Sequence, residues 1–458
     1  MKSNTLMTLT VLGLGFTVTA PAANLNHQGF GQALIYPYYT VNNNLDTLLS
    51  VVNTTNEVKA IRISFMESDN GQDVLDFNTY LAPYDVWTAA VVATETGAEI
   101  ITADTSCAPF LANPQPFLDF AFVLDPGSDA EEREREGHFE IIEMGVVTDP
   151  QLASAATHIS GVPADCAALT AAWLNGGQWF IDPNDGMAPA TGGLHGHTLI
   201  VDVAEGTAIS YQAEAIDDFY AEGGFLHTEP GSLLPSMASA NPKSLIIDSG
   251  QVIESEWSSG EDAISALFMS EKIFNEYVLG SGINARTEWV LTFPTKALYV
   301  NGNAAPQAPF TQAFSGPDGA CEEYNYDLYD QETETIEPTG QICTAPPGSI
   351  PTICWNTNVI HFYDCNSGGS QTDVSLVLGS TNVYGLKTSP FPAGWVELSF
   401  PQPQPLTDVG NNYTYTGYPV TGFAVQSYTN SNAQPGLLAQ YAAIFNHTYK
   451  RSITSANP

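Results

Sequence analysis

The chain has 458 residues, 43% hydrophobic and 14% charged, and its 12 basic and 50 acidic residues give a net charge of −38. The acidic share is ordinary, so this charge reflects a shortage of Lys and Arg. The shortage argues against nucleic acid and anionic lipid as partners, because both are bound through clustered basic side chains. Neutral polymers such as glycans, cations and basic partners remain compatible with it.

The first 23 residues have the pattern of a secretory signal peptide. Lys2 supplies a positive charge, residues 6–18 are apolar but too short to span a bilayer, and Ala20-Pro21-Ala22 offers a cleavage site. No later stretch approaches the roughly 20 apolar residues of a transmembrane helix. The sequence therefore predicts a secreted protein of the periplasm, the outer cell surface or the medium.

The mature chain, of about 435 residues, is longer than one hydrophobic core usually serves, so two domains are expected. Residues 228–245, rich in Pro, Ser, Ala and Asn, are the best boundary and separate domains over 24–235 and 246–458. Abundant Gly, Pro, Tyr and Phe are typical of short strands joined by tight turns. We predict a mostly β protein of two sandwich-like domains, of immunoglobulin or jelly-roll type, with one or a few helices.

Alternating apolar residues predict strands through the first half of the mature chain. Residues 47–66 predict two strands around an Asn-Thr-Thr-Asn turn, since Ile61, Ile63 and Phe65 face one way. Residues 74–91 repeat this pattern around a Pro, the cadence of an antiparallel sandwich. Other elements predicted in this half are strands over 116–124, 138–146, 196–204 and 207–214 and short helices over 150–158 and 163–173.

The clearest helical pattern covers residues 261–279 and opens the second domain. Apolar residues recur there near one face, Ser259 or Gly260 is placed to cap its start, and Gly280 to end it. The acidic stretch 125–136 is predicted to be a solvated loop. Further elements are strands over 287–300, 354–363, 371–386, 394–400 and 417–428 and a long disulfide-pinned loop over 311–350.

An even number of cysteines in an exported chain predicts three disulfides, although six cysteines allow 15 pairings. We favour Cys107–Cys166 in the first half, with the other four paired among themselves. Cys321–Cys343 and Cys354–Cys365 are the simplest choice, because each closes a short loop. The absence of a CxxC motif and of zinc-finger Cys–His spacing argues against a metal or redox role.

The best metal candidate is His195-Gly-His197. On a strand over 196–204, a period of two places both imidazoles on one face, where they can share a metal ion. His138 and Glu140 have the same spacing on another predicted strand, so all four side chains are candidate ligands. The alternative is a glycine-rich turn that bears solvent-exposed His.

Two acidic segments suggest structural Ca²⁺, and no other cofactor is expected. Residues 182–186, Asp-Pro-Asn-Asp-Gly, resemble a calcium loop but lack the spacing of an EF-hand. The simplest interpretation of the second segment is a solvated acidic loop. Its acidic residues are Asp327, Asp330, Glu332 and Glu334.

Catalytic motifs are missing from the sequence, so we do not expect an enzyme. It contains no G-x-S-x-G elbow, no H-E-x-x-H and no glycine-rich phosphate loop after a strand. A glycosidase needs only two carboxylates about 5–10 Å apart, which sequence spacing does not test. Tyr36, Tyr38 and Tyr39 could stack on sugars, although aromatic residues in strands more often pack in the core.

Six segments of the mature chain have a familiar pattern, namely residues 31–40, 48–55, 74–87, 275–278, 287–296 and 422–427. Together they resemble a group of secreted proteins from Gram-negative bacteria for which no activity is known. The resemblance spans most of the mature chain and implies export and a β-rich fold, but it supplies no catalytic residue.

The leading expectation is a non-enzymatic structural or adhesive protein outside the cell, able to form an oligomer or polymer. Residues 24–40 could pair with a sheet edge of a neighbouring copy, although a first strand of their own domain is the simpler interpretation. The alternative is an extracellular polysaccharide-binding module or a glycoside-acting enzyme. A periplasmic metal-binding protein centred on His195 and His197 is a third hypothesis.

Overall fold

The structure, a computed structural model, is mostly β, with 48% strand and 11% helix, which confirms the predicted class. None of the helices in the described ranges is long and apolar enough to cross a membrane. Most of the predicted signal peptide lies outside those ranges. The structure describes residues 21–119, 130–280, 282–302, 305–332, 335–336, 351–364, 374–388, 390–434 and 436–456.

The N-terminal half contains fifteen of the described strands and four of the described helices. The helices are α1 (Ala130–Arg133), α2 (Pro150–Ala156), α3 (Cys166–Ala172) and α4 (Gln178–Ile181). The strands are β1 (Asn24–Leu25), β2 (Ala33–Thr40), β3 (Leu45–Asn53), β4 (Lys59–Glu67), β5 (Asp73–Leu81), β6 (Val86–Ala93), β7 (Ala98–Ile101), β8 (Gln115–Pro116), β9 (Glu136–Val147), β10 (His158–Ile159), β11 (Val162–Pro163), β12 (Met187–Ala188), β13 (Leu194–Asp202), β14 (Thr207–Gln212) and β15 (Glu214–Asp217).

The C-terminal half adds the helices α5 (Gly260–Phe268) and α6 (Lys296–Val300). Its described strands are β16 (Lys243–Asp248), β17 (Gln251–Glu256), β18 (Met269–Ser270), β19 (Lys272–Val278), β20 (Arg286–Thr292), β21 (Glu322–Glu323), β22 (Asn325–Asp330), β23 (Thr335–Ile336), β24 (Thr352–Ile353), β25 (Thr357–Tyr363), β26 (Val383–Lys387), β27 (Ala393–Ser399), β28 (Leu406–Thr407), β29 (Tyr413–Thr416), β30 (Tyr418–Pro419), β31 (Thr421–Gln434), β32 (Leu437–Asn446), β33 (Thr448–Lys450) and β34 (Ser452–Ser455).

Two sheets of the N-terminal half enclose one apolar core. Sheet A has the strand order β1-β15-β2-β9-β4-β5, with β12 beside β9, and sheet B has the order β14-β13-β3-β6-β7-β8. Phe77 of sheet A packs against Trp87 of sheet B, with ring centroids 5.7 Å apart. The strands predicted within 47–66 and 74–91 are confirmed. In each of these two regions one strand belongs to sheet A and the other to sheet B. The turn between them therefore connects the two sheets and does not close a hairpin.

Two further sheets form the C-terminal half. Sheet C has the order β23-β22-β27-β19-β33, and sheet D has the order β26-β25-β20-β31-β32. Sheet D is apolar on both faces: Trp289 and Ile360 join the core with sheet C, whereas Val290 and Val359 join the core of sheets A and B. The apolar core therefore continues from one half into the other, across the boundary predicted at 228–245.

The helix predicted over 261–279 is wrong beyond residue 268. The Ser259 side chain accepts a hydrogen bond from the Asp262 backbone N–H, as expected of a cap, but the helix ends at Phe268 and β19 follows. Ile273 and Tyr277 of β19 are buried in the core. Residues four apart share a face in a helix and also in a strand, so their spacing fits both structures.

Other boundaries differ from the predicted ones in the same way. The strand predicted over 287–300 ends at Thr292, and α6 follows. Within the ranges predicted as strands over 116–124 and 371–386, the described strands are shorter, namely Gln115–Pro116 and Val383–Lys387. The region predicted as a loop over 311–350 contains β22, which pairs with β27.

The disulfide predicted between Cys107 and Cys166 is confirmed, with their Cα atoms 5.2 Å apart. Cys321 pairs with Cys354, so the predicted Cys321–Cys343 and Cys354–Cys365 disulfides are wrong. The cause is the antiparallel pairing of β21 with β24, which places Glu322 opposite Ile353 and brings the flanking cysteines together. Cys343 and Cys365 lie outside the described residues.

Several of the few basic side chains are buried in ion pairs. The Lys59 Nζ lies 2.7 Å from Glu143, and the guanidinium of Arg133 lies 3.0 Å from Glu67. Glu136 is also buried and accepts hydrogen bonds from hydroxyls that include that of Tyr38. The solvated loop predicted over 125–136 is therefore wrong for Arg133, Glu134 and Glu136, which are buried, whereas Glu132 is exposed.

Candidate functional site

The structure does not bring the four proposed metal ligands together. His195 and His197 share the outer face of β13 in sheet B, with ring centroids 5.6 Å apart, whereas His138 and Glu140 lie buried on β9 of sheet A. Among the described residues, no three His, Cys, Asp or Glu side chains form a group that could hold a metal ion. Metal binding by the His195–His197 pair alone stays a prediction.

Burial gives His138 and Glu140 the chemistry of core residues. The His138 Nδ1 lies 3.2 Å from the Asn356 amide nitrogen, and loss of solvation lowers its pKa to about 3. Burial raises the pKa of Glu140 to about 8, although the Arg62 guanidinium acts in the opposite direction. Burial also lowers the pKa of the half-buried His195, and the neighbouring His197 lowers it further.

Neither predicted calcium segment forms a described cluster of ligands. The Asp182 carboxylate accepts a hydrogen bond from the backbone N–H of Asn184, a local turn contact. Asp330 accepts one from the backbone N–H of Glu332, and Asp327 projects from β22. Glu334 lies outside the described residues.

The aromatic residues proposed for sugar stacking lie in the core. Tyr36, Tyr38 and Tyr39 are fully buried on β2, and β2 is an interior strand of sheet A. In addition, β1 pairs with β15 of the same chain. Residues 24–40 are therefore built into their own sheet, and the sugar-stacking interpretation of the three tyrosines is wrong.

One cluster superficially resembles a hydrolase triad. The Asp85 Oδ2 lies 3.1 Å from the Ser106 hydroxyl and 3.5 Å from the His158 Nε2. In a working triad the imidazole stands between the hydroxyl and the carboxylate, so that it can accept the hydroxyl proton. Here the carboxylate occupies the middle position, so this cluster cannot activate Ser106 in that way.

A more promising surface lies on the outer side of sheet C, where three adjacent strands each place one aromatic residue. We call Phe274 of β19, Tyr329 of β22 and Trp395 of β27 the aromatic face. On β27, Val396 and Leu398 point into the core, so Trp395 projects on the opposite side of the strand. Trp395 is 37% exposed, which is unusual for so large an apolar side chain.

The strand register holds these three rings together. Tyr329 stands directly opposite Trp395, and their rings stack with centroids 3.9 Å apart at an angle of 6°. Phe274 lies diagonally beside Trp395, with centroids 6.3 Å apart. Because all three residues stand on paired strands, the sheet fixes their relative positions.

Carboxylates flank the rings. Asp327 stands opposite Glu397 in the next row of the sheet, and Lys272 forms an ion pair with Glu397. The hydrogen bond to Glu397 raises the pKa of Lys272, with the nearby negative charges adding to the effect. The face therefore combines rings that can pack on sugar C–H groups with carboxylate oxygens that can accept hydrogen bonds from sugar hydroxyls.

The sequence carried a signal for this face that we did not use. Trp395 shares the solvent-facing side of β27 with Glu397 and Ser399, so it is the one large aromatic residue among polar neighbours. A single exposed aromatic residue is common on protein surfaces, so Trp395 gains significance only through the aromatic residues beside it. The strand alone does not show that Tyr329 and Phe274 lie beside it, because that depends on which strands pair.

Comparison with known proteins gives no identification: no protein-family model, no curated protein and no solved structure matches this chain.

Proposed function

We propose that this protein is an exported, non-enzymatic adhesive protein that binds neutral extracellular polysaccharide on its aromatic face. The observation that carries the proposal is the register-locked group of Tyr329, Trp395 and Phe274 beside Asp327 and Glu397. An open sheet face suits a polymer, which can lie across several strands without entering a closed pocket. The two disulfides fit an oxidising location outside the cytoplasm.

The charge balance favours a neutral polymer over an acidic one. The chain carries a net charge of −38, and the carboxylates beside the rings would repel sulfated or uronic-acid chains. Sugar hydroxyls, in contrast, donate hydrogen bonds to carboxylates. We therefore expect binding to neutral glycans that persists at high salt.

The same carboxylates support binding more than hydrolysis. A glycosidase keeps one carboxyl protonated beside the glycosidic oxygen. The Glu397 carboxylate is instead already engaged in an ion pair with Lys272. A glycoside-acting enzyme is therefore the alternative. Such an enzyme would require both Asp327 and Glu397 to cleave the glycan and release reducing sugars.

The test is affinity electrophoresis in gels that contain neutral glucan, neutral galactomannan or anionic alginate. We expect the neutral polymers to retard the protein, and Trp395→Ala to weaken the binding at least tenfold. Tyr84→Ala, which removes an exposed ring from the N-terminal half, is the matched control and should bind normally. Reducing-sugar release is measured in the same samples.

Two outcomes would count against the proposal. Equal retardation of Trp395→Ala and wild type would remove the aromatic face as the binding surface. Release of reducing sugars that disappears in both Asp327→Asn and Glu397→Gln would favour the enzymatic alternative.

A further inference from the structure

A shallow groove of about 660 Å³ crosses the outer side of sheet B, and no residue of the aromatic face of sheet C lines it. Apart from the titratable His197, none of its lining residues is ionisable. The register places Ser210, Leu199, Leu48, Ala90 and Ile101 in one row across five neighbouring strands. With strands about 4.8 Å apart, this row is about 19 Å long.

The β31–β32 hairpin presents a second uncharged surface. Residues 409–449 contain no Asp, Glu, Lys or Arg. Leu437 and Leu438, which follow the turn, are 50% and 53% exposed, and Tyr441 is 49% exposed. In the described part of the chain β32 pairs with β31 alone, so its outer edge has no strand partner.

This hairpin lacks the charged side chains that commonly protect an edge strand. Natural edge strands carry charges, especially Lys, that discourage pairing with another chain. A hairpin with exposed leucines and no charge therefore favours contact with another molecule. Within one chain, Gln440 bonds to Glu205 at the β13–β14 turn, and no hairpin residue lines the groove.

The identity of the partner follows from charge. Two copies that each carry a net charge of −38 repel one another wherever charged surfaces meet. Close approach is least unfavourable where both surfaces lack charge, and the groove and the hairpin both meet that condition. Burial of the exposed leucines then supplies the driving force.

We propose that the β31–β32 hairpin of one copy docks in the sheet B groove of a second copy. Leu437 and Leu438 lie over the row formed by Leu48, Ala90 and Leu199. Because the hairpin and the groove are different surfaces, each copy offers one of each, and the contact repeats head to tail. This inference does not depend on the glycan-binding proposal, since the aromatic face takes no part in it.

The experiment uses sedimentation velocity on the full mature chain at 0.15 and 1 M NaCl. Leu438→Glu places a charge on the hairpin, and Thr88→Glu places one in the groove at an exposed position. Val203→Glu adds the same charge at another exposed site and is the matched control. Circular dichroism verifies that each variant is folded.

We expect wild type and Val203→Glu to form species larger than a dimer, and to do so more readily at high salt, where repulsion is screened. Leu438→Glu and Thr88→Glu should each associate at least tenfold more weakly. An equimolar mixture of these two variants should form 1:1 dimers and stop there. The Leu438→Glu variant keeps an intact groove and the Thr88→Glu variant keeps an intact hairpin. The intact hairpin can dock in the intact groove, and no further contact is then possible.

Three results would overturn the inference. Wild type could stay monomeric at every concentration and salt level. The mixture could stay monomeric while Val203→Glu assembles, which would show that the hairpin and the groove do not bind each other. Finally, wild type could bind phosphatidylcholine vesicles without self-association, which would assign the hairpin to a lipid surface. In each case the glycan assay remains informative, because Trp395 is unchanged.

Discussion

The pKa values and the exposure of several residues in this protein depend more on where they lie in the fold than on their residue type. His138 and Glu140 have the two-residue spacing of metal ligands, yet both are buried on β9 and take on shifted pKa values. Trp395, a residue type usually found in the core, lies partly in solvent. The residues worth testing first are therefore those whose surroundings contradict their type.

Glu140→Gln should stabilise the protein at alkaline pH and leave it unchanged at acidic pH. The folded pKa of about 8 is above the ordinary 4.5, so the folded state holds a proton that the unfolded state loses. The contribution of Glu140 to the stability of the folded state is fully present below pH 4.5, where its carboxyl is protonated, and is lost as the pH rises through 8. Glutamine stays neutral, so we expect a gain of about 5 kcal/mol at pH 8.5.

The measurement is the melting temperature of both proteins at pH 4 and pH 8.5. Glu254→Gln is the control, because Glu254 is exposed on β17. An increase of equal size at both pH values would show that titration of Glu140 is not the cause.

Candidate sites were harder to predict from the sequence than strands were. The same-face placement of His195 and His197 follows from strand geometry, and the structure agrees. Their separation from His138 depends on which sheet each strand joins, and a local pattern contains no information on that. Trp395 could have been noticed, whereas its neighbours Tyr329 and Phe274 required the pairing of β22, β27 and β19.

At the level of elements, strands were predicted well and helix limits poorly. Apolar and polar residues alternate over 61–65 and over much of 138–146, and both regions form strands. The stretch 261–279 was misjudged because apolar residues four apart satisfy helix and strand alike. Four of the six residues from Ile273 to Val278 are β-branched or aromatic, and they were the available evidence for a strand.

The pairing of β21 with β24 leads to a prediction about the second disulfide. Because it closes a loop with a sequence separation of 33, the Cys321→Ser/Cys354→Ser double variant should lose about 3–4 kcal/mol of stability. Mass spectrometry of a non-reduced chymotryptic digest should recover a peptide that links Cys321 to Cys354. Recovery of Cys321 joined to Cys343 would contradict the structure.

At the scale of the whole molecule, sheet D joins the two halves. Phe423 of β31 stacks on Tyr211 of β14, with centroids 5.0 Å apart, and lies edge-on to Tyr38 of β2. An expectation of two domains follows from chain length, but the sequence alone does not show that one sheet serves two cores. In β20 the consecutive apolar residues Trp289, Val290 and Leu291 place apolar side chains on both faces, and they are the local trace of that arrangement.

Phe423→Ala should destabilise both halves together. Removal of a buried Phe costs about 3–5 kcal/mol, and the loss falls on the core that the halves share. We expect one cooperative thermal transition in wild type and in the variant, shifted to lower temperature in the variant. Phe445→Ala, a partly exposed position on β32, is the control and should have a smaller effect. Two separate transitions in wild type would indicate independent domains.

The buried ion pairs also affect how the chain would survive among extracellular proteases. Trypsin-like enzymes cut after Lys or Arg in exposed, locally mobile backbone. Lys59, Arg62, Arg133 and Lys296 are among the 12 basic residues, and all four are buried. Residues 136–242 contain no Lys or Arg at all. This distribution of basic residues therefore leaves proteases of this specificity with few places to cut.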